Sequence, residues 1–160
     1  AGGARRQDSA WAGIQATDPD AGVILLHDGA RPLVEPDLVE KVARHADRHG
    51  GAIAAVPATA TVKHVDERGV IQDTPPRHTV WLAQTPQGFR REVLVEAYEQ
   101  AWEDDFYGTD DAQLVERMGH EVRVVRDSTS NIKITRPMDI PIAEALLEWK
   151  DRPDRGHASS

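Results

Sequence analysis

The chain has 160 residues, a formal net charge of −8 and a hydrophobic content of 39%, which predicts one globular domain over residues 1–150 with a flexible tail at 151–160. The charge disfavours non-specific binding to nucleic acid or an anionic membrane, and no apolar run is long enough for a membrane span. The absence of cysteine excludes disulfides and thiolate zinc sites, and it suits a cytoplasmic location.

The first half of the chain alternates helices and strands. The opening residues contain no initiator Met and resemble a loop already under way, so we expect an upstream part to be missing. Ser9 is the predicted N-cap of a short helix. The aliphatic run at 23–26 predicts a strand covered on both faces. A helix is expected over 36–49, ended by Gly50, and a second buried strand over 52–56.

The segment from about 57 to 79 has a different character. Its alternating polar pattern predicts a two-stranded hairpin, and Pro75 and Pro76 favour an arm that projects from the body, because proline cannot donate to a central ladder. The basic residues Lys63 and Arg77 could therefore serve a neighbouring subunit. They could equally be solubility charges on an edge strand.

The second half continues the alternation. A helix is expected over 90–102, a second helix capped by Thr109 and closed by Gly119, a strand over 122–125, and a last helix opened by Pro137. Alternating strands and helices predict an α/β sandwich with a largely parallel sheet. In such folds the ligand site lies at the carboxyl ends of the strands.

Two polar clusters lie in the first part of the chain. Gly3 and Ser9 could bring backbone N–H groups and a helix N-terminus to a phosphate, or form an ordinary loop and cap. After the strand at 23–26, Asp28 is suited to hold Mg²⁺ and Arg31 to bind phosphate. The two could instead form an ion pair that shapes the turn, and His27 is interpreted as a structural, partly buried residue.

Two further clusters lie in the second part. The segment 84–87 carries amide and hydroxyl groups suited to a base or a sugar, but it also fits a plain turn. Asp110 and Asp111 fit a helix-dipole role. Lys133 lies between two isoleucines on an extended segment, so it points to the opposite face from both. That arrangement fits a cation directed into a pocket, or a surface lysine.

Read in order, several motifs resemble one known family. The motifs are GGARRQDS, LLHDGARPLV, GAIAAVPATATVK, TPPRHTVW, AQTPQGF, GTDDAQLVE and SNIKIT. Together they resemble the 2-C-methyl-D-erythritol 4-phosphate cytidylyltransferase family. The resemblance implies a Rossmann-like nucleotide-diphospho-sugar transferase sandwich, with a mixed, mostly parallel sheet and a projecting β-arm. The first strands of that fold would be missing from this chain.

The resemblance also implies an activity and a set of site residues. The family transfers CMP from CTP to 2-C-methyl-D-erythritol 4-phosphate with Mg²⁺ and releases pyrophosphate, in non-mevalonate isoprenoid biosynthesis. A homodimer is implied, in which Arg77 reaches the acceptor phosphate from the partner subunit's arm. The implied roles are catalysis for Asp28, Lys133 and Arg77, acceptor binding for Arg31, Thr61, Thr85 and Thr109, nucleotide binding for Gly3, Ser9, Asp28 and Gly29, and metal binding for Asp28.

The chain departs from the family pattern at several points. Ala60 stands where the family usually has Asp, and Gly29 where it usually has Ala. The family's N-terminal glycine-rich loop, with its catalytic Arg and Lys, is not in the sequence, so we expect this chain alone to be inactive. Two alternatives stay open: a non-catalytic binding or dimerisation piece, and a cytidylyltransferase for another acceptor such as ribitol 5-phosphate.

Overall fold

A computed structural model describes residues 5–150 of the chain. The helices are α1 (Arg6–Gln15), α2 (Pro36–His49), α3 (Arg91–Glu103), α4 (Asp111–Arg117) and α5 (Asp139–Lys150). The strands are β1 (Val23–Leu26), β2 (Gly51–Pro57), β3 (His64–Val65), β4 (Ile71–Asp73), β5 (Trp81–Arg90) and β6 (Val122–Arg126), and a short 3₁₀ turn spans Arg77–Thr79.

In the described part of the chain, four strands form the central sheet, in the order β1-β5-β2-β6. Strands β2 and β6 pair in parallel, whereas β5 is antiparallel to both of its neighbours, β1 and β2. Three of the four strands therefore run in one direction, which confirms the predicted mixed sheet of an α/β fold. The carboxyl ends of β1, β2 and β6 meet at one edge of the sheet.

Helix α2 covers one face of this sheet. Pro36 occupies its first turn, where a missing N–H is tolerated, and Gly50 ends it with a φ of 93°. The predicted bounds of 36–49 are confirmed. The apolar stripe of α2 packs on small residues of β2 and on β6, in a cluster formed by Leu38, Val42, Ala46, Ala52, Ala54 and Val125.

Helices α1, α3 and α4 cover the other face. Trp11 of α1 stacks on Tyr98 of α3 at 5.5 Å between ring centroids and meets Trp102 edge-on at 4.8 Å. The predicted helix over 90–102 is confirmed with its bounds moved by one residue. Its predicted apolar positions are all buried, and the core here includes Phe89, Leu94, Ala97, Tyr98, Ala101, Leu114 and Val115.

Both predicted N-caps are wrong. Helix α1 begins one turn earlier than expected, with Arg5 as its N-cap, because the carboxylate of Asp8 accepts the Arg5 N–H at 3.0 Å. Ser9 thus lies inside the helix, where its hydroxyl donates to the Arg5 carbonyl at 3.2 Å. Helix α4 is capped by Asp110 rather than Thr109, since the Asp110 carboxylate accepts the backbone N–H three residues on.

The segment 84–87 is part of a central strand, so the plain-turn alternative is wrong. Pro86 is accommodated because the register of β2 against β5 shifts between Ile53 and Ala55, and pairing with β1 ends at Gln87. The proline therefore lies where no ladder bond is needed. The expectation that β1 is covered on both faces is also wrong for the described residues, because Leu25 is 36% exposed.

The predicted hairpin is present between β2 and β5. Strands β3 and β4 pair with each other in a separate two-stranded sheet. The Asp66 carboxylate organises the turn between them by accepting the N–H groups of Arg68 and Val70 at 3.0 and 2.9 Å. Val65 and Ile71 are each 57% exposed. We call residues 58–80 the arm.

The last helix, α5, begins two residues after Pro137. The Asp139 carboxylate holds its start by accepting the N–H groups of Thr135 and Arg136, each at 2.8 Å. Ala143 is buried, whereas Ile142 and other large apolar side chains of this helix are about half exposed. None of the helices in residues 5–150 has the length and apolar character needed to cross a membrane.

Candidate functional site

Asp28 follows β1 directly and lies between two cations. Its Oδ2 atom is 3.0 Å from Lys133 Nζ and 3.4 Å from Arg31 Nε. Partial burial raises the pKa of Asp28, but the hydrogen bond and charge of Lys133, together with Arg31, outweigh it and hold this pKa below its ordinary value. The carboxylate is therefore ionised at neutral pH. Asp28 and Arg31 thus form the ion pair that was one of the two alternatives, and Lys133, the other partner of Asp28, lines a cavity beside it.

A chain of hydrogen bonds fixes the turn that carries Asp28. The Thr85 hydroxyl accepts the Asp28 N–H at 3.0 Å and lies 2.9 Å from His27 Nδ1, while His27 Nε2 lies 3.0 Å from the Arg31 carbonyl oxygen. The carbonyl requires a donor, so Nε2 carries the proton and Thr85 donates to Nδ1. His27 is exposed rather than partly buried, but the geometry agrees with its structural interpretation.

The loop that carries Lys133 is anchored by a buried asparagine. The Asn131 side chain donates to the Thr85 carbonyl at 2.9 Å, and the Asn131 carbonyl accepts from Arg31 Nη1 at 2.7 Å and from Gln84 Nε2 at 3.2 Å. These bonds join residues on β5, on the turn after β1 and on the loop after β6. The position of Lys133 is thus set by three separate parts of the chain.

The start of α4 forms another wall of the site. Gln87, which is 2% exposed, donates to the Asp110 carboxylate at 2.9 Å and accepts the Ala112 N–H at 3.1 Å. Thr109 donates through its N–H and its hydroxyl to Gln113 Oε1 at 2.8 and 3.3 Å. The buried amide of Gln87 therefore ties α4 to β5 and fixes the part of the chain that presents Thr109.

Two cavities meet at this edge of the sheet. The first, of about 430 Å³, has Ser9, Asp28 and Gly29 in its wall, which are predicted nucleotide-binding residues. The second is about 300 Å³. It brings together five predicted residues from distant parts of the sequence: Asp28, Arg31, Thr85, Thr109 and Lys133. Of the residues that the structure describes, Arg6, Asp28 and Thr85 line both cavities.

Arg6, which has no predicted role, lines both cavities. Its guanidinium forms a two-point ion pair with Asp111, a fully buried carboxylate that also accepts the Tyr98 hydroxyl at 2.6 Å. The hydrogen bond to Asp111 is the largest influence on Arg6 and raises the pKa of Arg6 above its ordinary value. Asp111 is therefore more than a helix-dipole charge. Arg6 and Asp111 are 105 residues apart, and the only sequence signal is a basic cluster and an acidic pair.

The structure does not bring every predicted residue to the cavities. Thr61 and Arg77 lie on the exposed arm and line neither cavity. Arg77 instead donates to the Thr59 carbonyl at 3.1 Å. Gly3 and the predicted tail at 151–160 lie outside the described residues. The roles of these residues stay predictions.

The cavities are suited to a polyanion. Arg6, Arg31 and Lys133 gather around Asp28 in a chain whose net charge is −8, so the positive charge is local. Within residues 5–150 no group of three or more acidic, histidine or cysteine side chains is placed to hold a metal. The donor set still fits Mg²⁺, which is often bound by one or two carboxylates plus the phosphates of its ligand. Asp28, which lines both cavities, could supply that carboxylate.

An α/β sheet with a cationic cleft at its strand ends defines a class of phosphate-ligand-binding proteins. The chain belongs to the 2-C-methyl-D-erythritol 4-phosphate cytidylyltransferase family (IspD), whose model matches residues 1–149. It is 50% identical over 151 residues to the relative of that name from Syntrophus aciditrophicus, and 49% identical over 153 residues to the one from Geobacter metallireducens. The alignments cover 94% of this chain in both cases, and 64% and 66% of the two relatives.

Solved structures with family names also match. A 4-diphosphocytidyl-2C-methyl-D-erythritol synthase from Anaerococcus prevotii superposes with a TM-score of 0.87 at 36% identity, over 92% of this chain and 68% of the other. The Thermus thermophilus 2-C-methyl-D-erythritol 4-phosphate cytidylyltransferase gives 0.82 at 37% identity, over 92% and 71%. These likenesses confirm the predicted Rossmann-like architecture. This chain spans about 64% of the length of the first curated relatives that it matches.

Proposed function

We propose that the protein to which this chain belongs transfers CMP from CTP to 2-C-methyl-D-erythritol 4-phosphate. An oxygen of the acceptor's phosphate attacks the α-phosphorus of CTP and forms a new P–O bond. The bond from the α-phosphorus to the oxygen bridging to the β-phosphate breaks, and pyrophosphate leaves with that electron pair. The observation that carries the proposal is the pair of joined cavities with Asp28 between Lys133 and Arg31, in a chain of this family.

The two cavities have different proposed occupants. CTP occupies the first cavity, beside Ser9 and Gly29, and the acceptor occupies the second. Lys133 and Arg31 neutralise the acceptor's phosphate, so that two polyanions can approach each other. Thr85 and Thr109 line the second cavity, where their hydroxyl oxygens can accept hydrogen bonds from hydroxyl groups of the acceptor. In this arrangement the chain's own contribution is positioning and charge stabilisation, with no covalent intermediate.

A divalent cation completes the proposed site. Asp28 would hold Mg²⁺ together with the phosphates of CTP, and the bound cation would supply charge neutralisation at the triphosphate. The two cations bonded to Asp28 hold it ionised, the state that a metal ligand requires.

The arm is proposed to join two subunits. Arg77 and Thr61 line neither cavity of their own chain, and the arm exposes Val65 and Ile71. A homodimer in which each arm reaches the partner's second cavity would bring Arg77 to the acceptor phosphate and cover the apolar side chains. We also propose a cytoplasmic location, which the absence of cysteine suits.

The test is an assay of pyrophosphate release by the product of the longest reading frame that encodes this chain. It is run with CTP, Mg²⁺ and either 2-C-methyl-D-erythritol 4-phosphate or ribitol 5-phosphate. Pyrophosphate release that requires 2-C-methyl-D-erythritol 4-phosphate supports the proposal. Faster release with ribitol 5-phosphate reassigns the acceptor. No release with either acceptor, from a folded protein that is saturated with both substrates, overturns the proposed activity.

A further inference from the structure

The proposed function assigns no role to Arg6, although the position of its guanidinium is fixed. Its side chain is 45% exposed, yet its guanidinium is held at two points by Asp111, which is fully buried. Tyr98, also fully buried, donates its hydroxyl to the same carboxylate at 2.6 Å. The direction of the guanidinium is therefore set by two buried groups.

Arg6 lies at the wall that the two cavities share. Among residues 5–150, three line both cavities: Arg6, Asp28 and Thr85. Thr85 is neutral and Asp28 is anionic, so Arg6 is the cation of this shared wall. Arg31 and Lys133 line the second cavity but not the first. A phosphoryl group that passes from one cavity to the other must cross the junction beside Arg6.

The guanidinium keeps donors available at this junction. It has five N–H groups, and Asp111 accepts one from each terminal nitrogen. Asp111 thus leaves three N–H groups that it does not use, on a side chain that is 45% exposed and lines both cavities. A planar fork with a fixed direction is suited to two oxygens of one phosphoryl group.

Attachment of α1 does not require this ion pair. Gln7 already joins α1 to the segment before α4, donating to the Phe106 carbonyl and accepting the Gly108 N–H, each at 3.2 Å. Trp11 adds its ring contacts with Tyr98 and Trp102. Burying a carboxylate beside a cation often brings little net stability, because both groups lose water. A positioning role accounts for the Arg6–Asp111 pair better than stability does.

We propose that Arg6 contacts the phosphoryl group transferred from CTP, at a non-bridging oxygen of its α-phosphate, and that Asp111 and Tyr98 position it. The inference rests on the proposed cytidylyl transfer. In that reaction the non-bridging oxygens gain charge as the acceptor's phosphate oxygen bonds to the α-phosphorus and pyrophosphate departs. A preoriented guanidinium stabilises this charge without reorganising during the step.

The test uses the product of the longest reading frame that encodes this chain, with the variants Arg6→Gln, Arg6→Lys and Tyr98→Phe. Arg5→Gln is the matched control, because Arg5 is the neighbouring arginine, lies over the Tyr107 ring at 3.7 Å and lines neither cavity. We expect Arg6→Gln to lower kcat about 100-fold and Arg5→Gln to leave it unchanged. Tyr98→Phe, which keeps the ring, should lower kcat about fivefold, as for one lost hydrogen bond, with KM unchanged.

The deciding measurement replaces one non-bridging oxygen of the CTP α-phosphate by sulfur, using each diastereomer in turn. If Arg6 contacts one of these oxygens, sulfur at that oxygen slows the unsubstituted protein more than it slows Arg6→Gln. For each diastereomer, the rate with CTP is divided by the rate with the sulfur analogue. If this ratio is the same in the unsubstituted protein and in Arg6→Gln for both diastereomers, the inference is overturned, even if Arg6→Gln is slow. Should Arg6→Gln fail to fold, the same comparison is made with Arg6→Lys.

The two proposals fail in different ways. If the unsubstituted protein releases no pyrophosphate with any acceptor, the proposed activity fails and the role of Arg6 fails with it. If the unsubstituted protein turns over CTP but the sulfur effect is the same without Arg6, only the role of Arg6 is overturned.

Discussion

The cleft and the arm are both rich in polar side chains, but they hold these side chains in different ways. In the cleft, bonds join parts of the chain that are far apart in sequence: Arg31 bonds to Asn131, and Gln84 to Asn131. In the arm, bonds stay within the arm, as between Lys63 and Thr74 at 2.8 Å. Four polar residues that organise the cleft are buried, namely Gln84, Thr85, Gln87 and Asn131, whereas the arm residues are largely exposed.

This difference separates two kinds of site. The cleft is shaped by its own chain, because Asn131 and Gln87 bond to partners on more than one element and fix the segments around them. The arm has a defined hairpin but few contacts with the body, so its exposed ion pairs add little stability. Its exposed side chains acquire fixed surroundings only when another molecule packs on them. Substitutions in the cleft should therefore affect chemistry and folding, and those in the arm should affect assembly.

The largest effect is expected at the centre of the cleft. Asp28→Asn removes the proposed metal ligand, and with it the negative charge between Lys133 and Arg31. In the product of the longest reading frame that encodes this chain, kcat/KM for pyrophosphate release should therefore fall about 1,000-fold. Asp73→Asn, which removes an exposed carboxylate of the arm paired with His64, is the control and should retain activity. A loss of less than about threefold in Asp28→Asn would show that this carboxylate is not required.

The next effect concerns the stability of the cleft wall. Gln87→Leu leaves the Ala112 N–H and the Asp110 carboxylate without their buried partner, so the free energy of unfolding should fall by about 2–3 kcal/mol. Urea unfolding of this chain measures it. The control is Gln72→Leu, an exposed arm amide bonded to Asp66, for which we expect a change within about 0.5 kcal/mol. Equal losses in the two variants would contradict the contrast between cleft and arm.

The arm should show its effect in association instead. Combining Val65→Ser with Ile71→Ser removes exposed apolar groups from the proposed subunit contact, so the dimer dissociation constant should rise at least about tenfold. Analytical ultracentrifugation measures this constant, and the unfolding midpoint of the dissociated chain should hardly move. Ile142→Ser, a comparably exposed substitution on α5, serves as the control. An unchanged constant in the arm variant would remove the arm from the contact.

The smallest effect at neutral pH concerns Tyr98. Burial, followed by the nearby charge of Asp111, raises the pKa of Tyr98 well above its ordinary value. Because the folded-state pKa is raised, the stability contributed by the neutral phenol is complete below the unfolded value of about 10 and is lost as pH rises toward the folded value. Absorbance at alkaline pH should show the Tyr98 phenolate only on unfolding, and Tyr98→Phe should lack that change. A phenolate from Tyr98 in the folded chain would contradict its burial.

Much of the fold could be predicted because its signals are local. Pro36, Gly50 and the apolar stripe between them define α2 without reference to other parts of the chain. The wrong caps have local causes as well: Asp110 follows Thr109 directly and competes with it for the same N–H groups. Segment 84–87 could not be assigned to a central strand from its own residues, since the register shift that accommodates Pro86 lies on β2.

The site was predictable in its parts but not in its arrangement. Motif resemblance indicated Asp28, Arg31, Thr85, Thr109 and Lys133, and the second cavity brings them together. No sequence pattern joined Arg6 to Asp111, because a contact across 105 residues depends on how α1 packs on α3 and α4. Motif resemblance also indicated Thr61 and Arg77 of the arm. Their proposed binding partners belong to another subunit, so the structure of one chain does not bring them to the cleft.

The arm leaves and rejoins the sheet at neighbouring points. Pro57 at the end of β2 is paired with Trp81 at the start of β5, and the Ala58 N–H donates to the Val80 carbonyl at 3.0 Å. The arm is therefore an excursion from a β-hairpin whose two strands would pair without it. The entropy of closing such a loop changes slowly with its length, so insertions or deletions there leave the sheet in register. Natural variation, or a protein engineer, can thus rework the proposed subunit contact while β2 and β5 keep their pairing, even though the arm leaves the sheet at the same edge as the cleft.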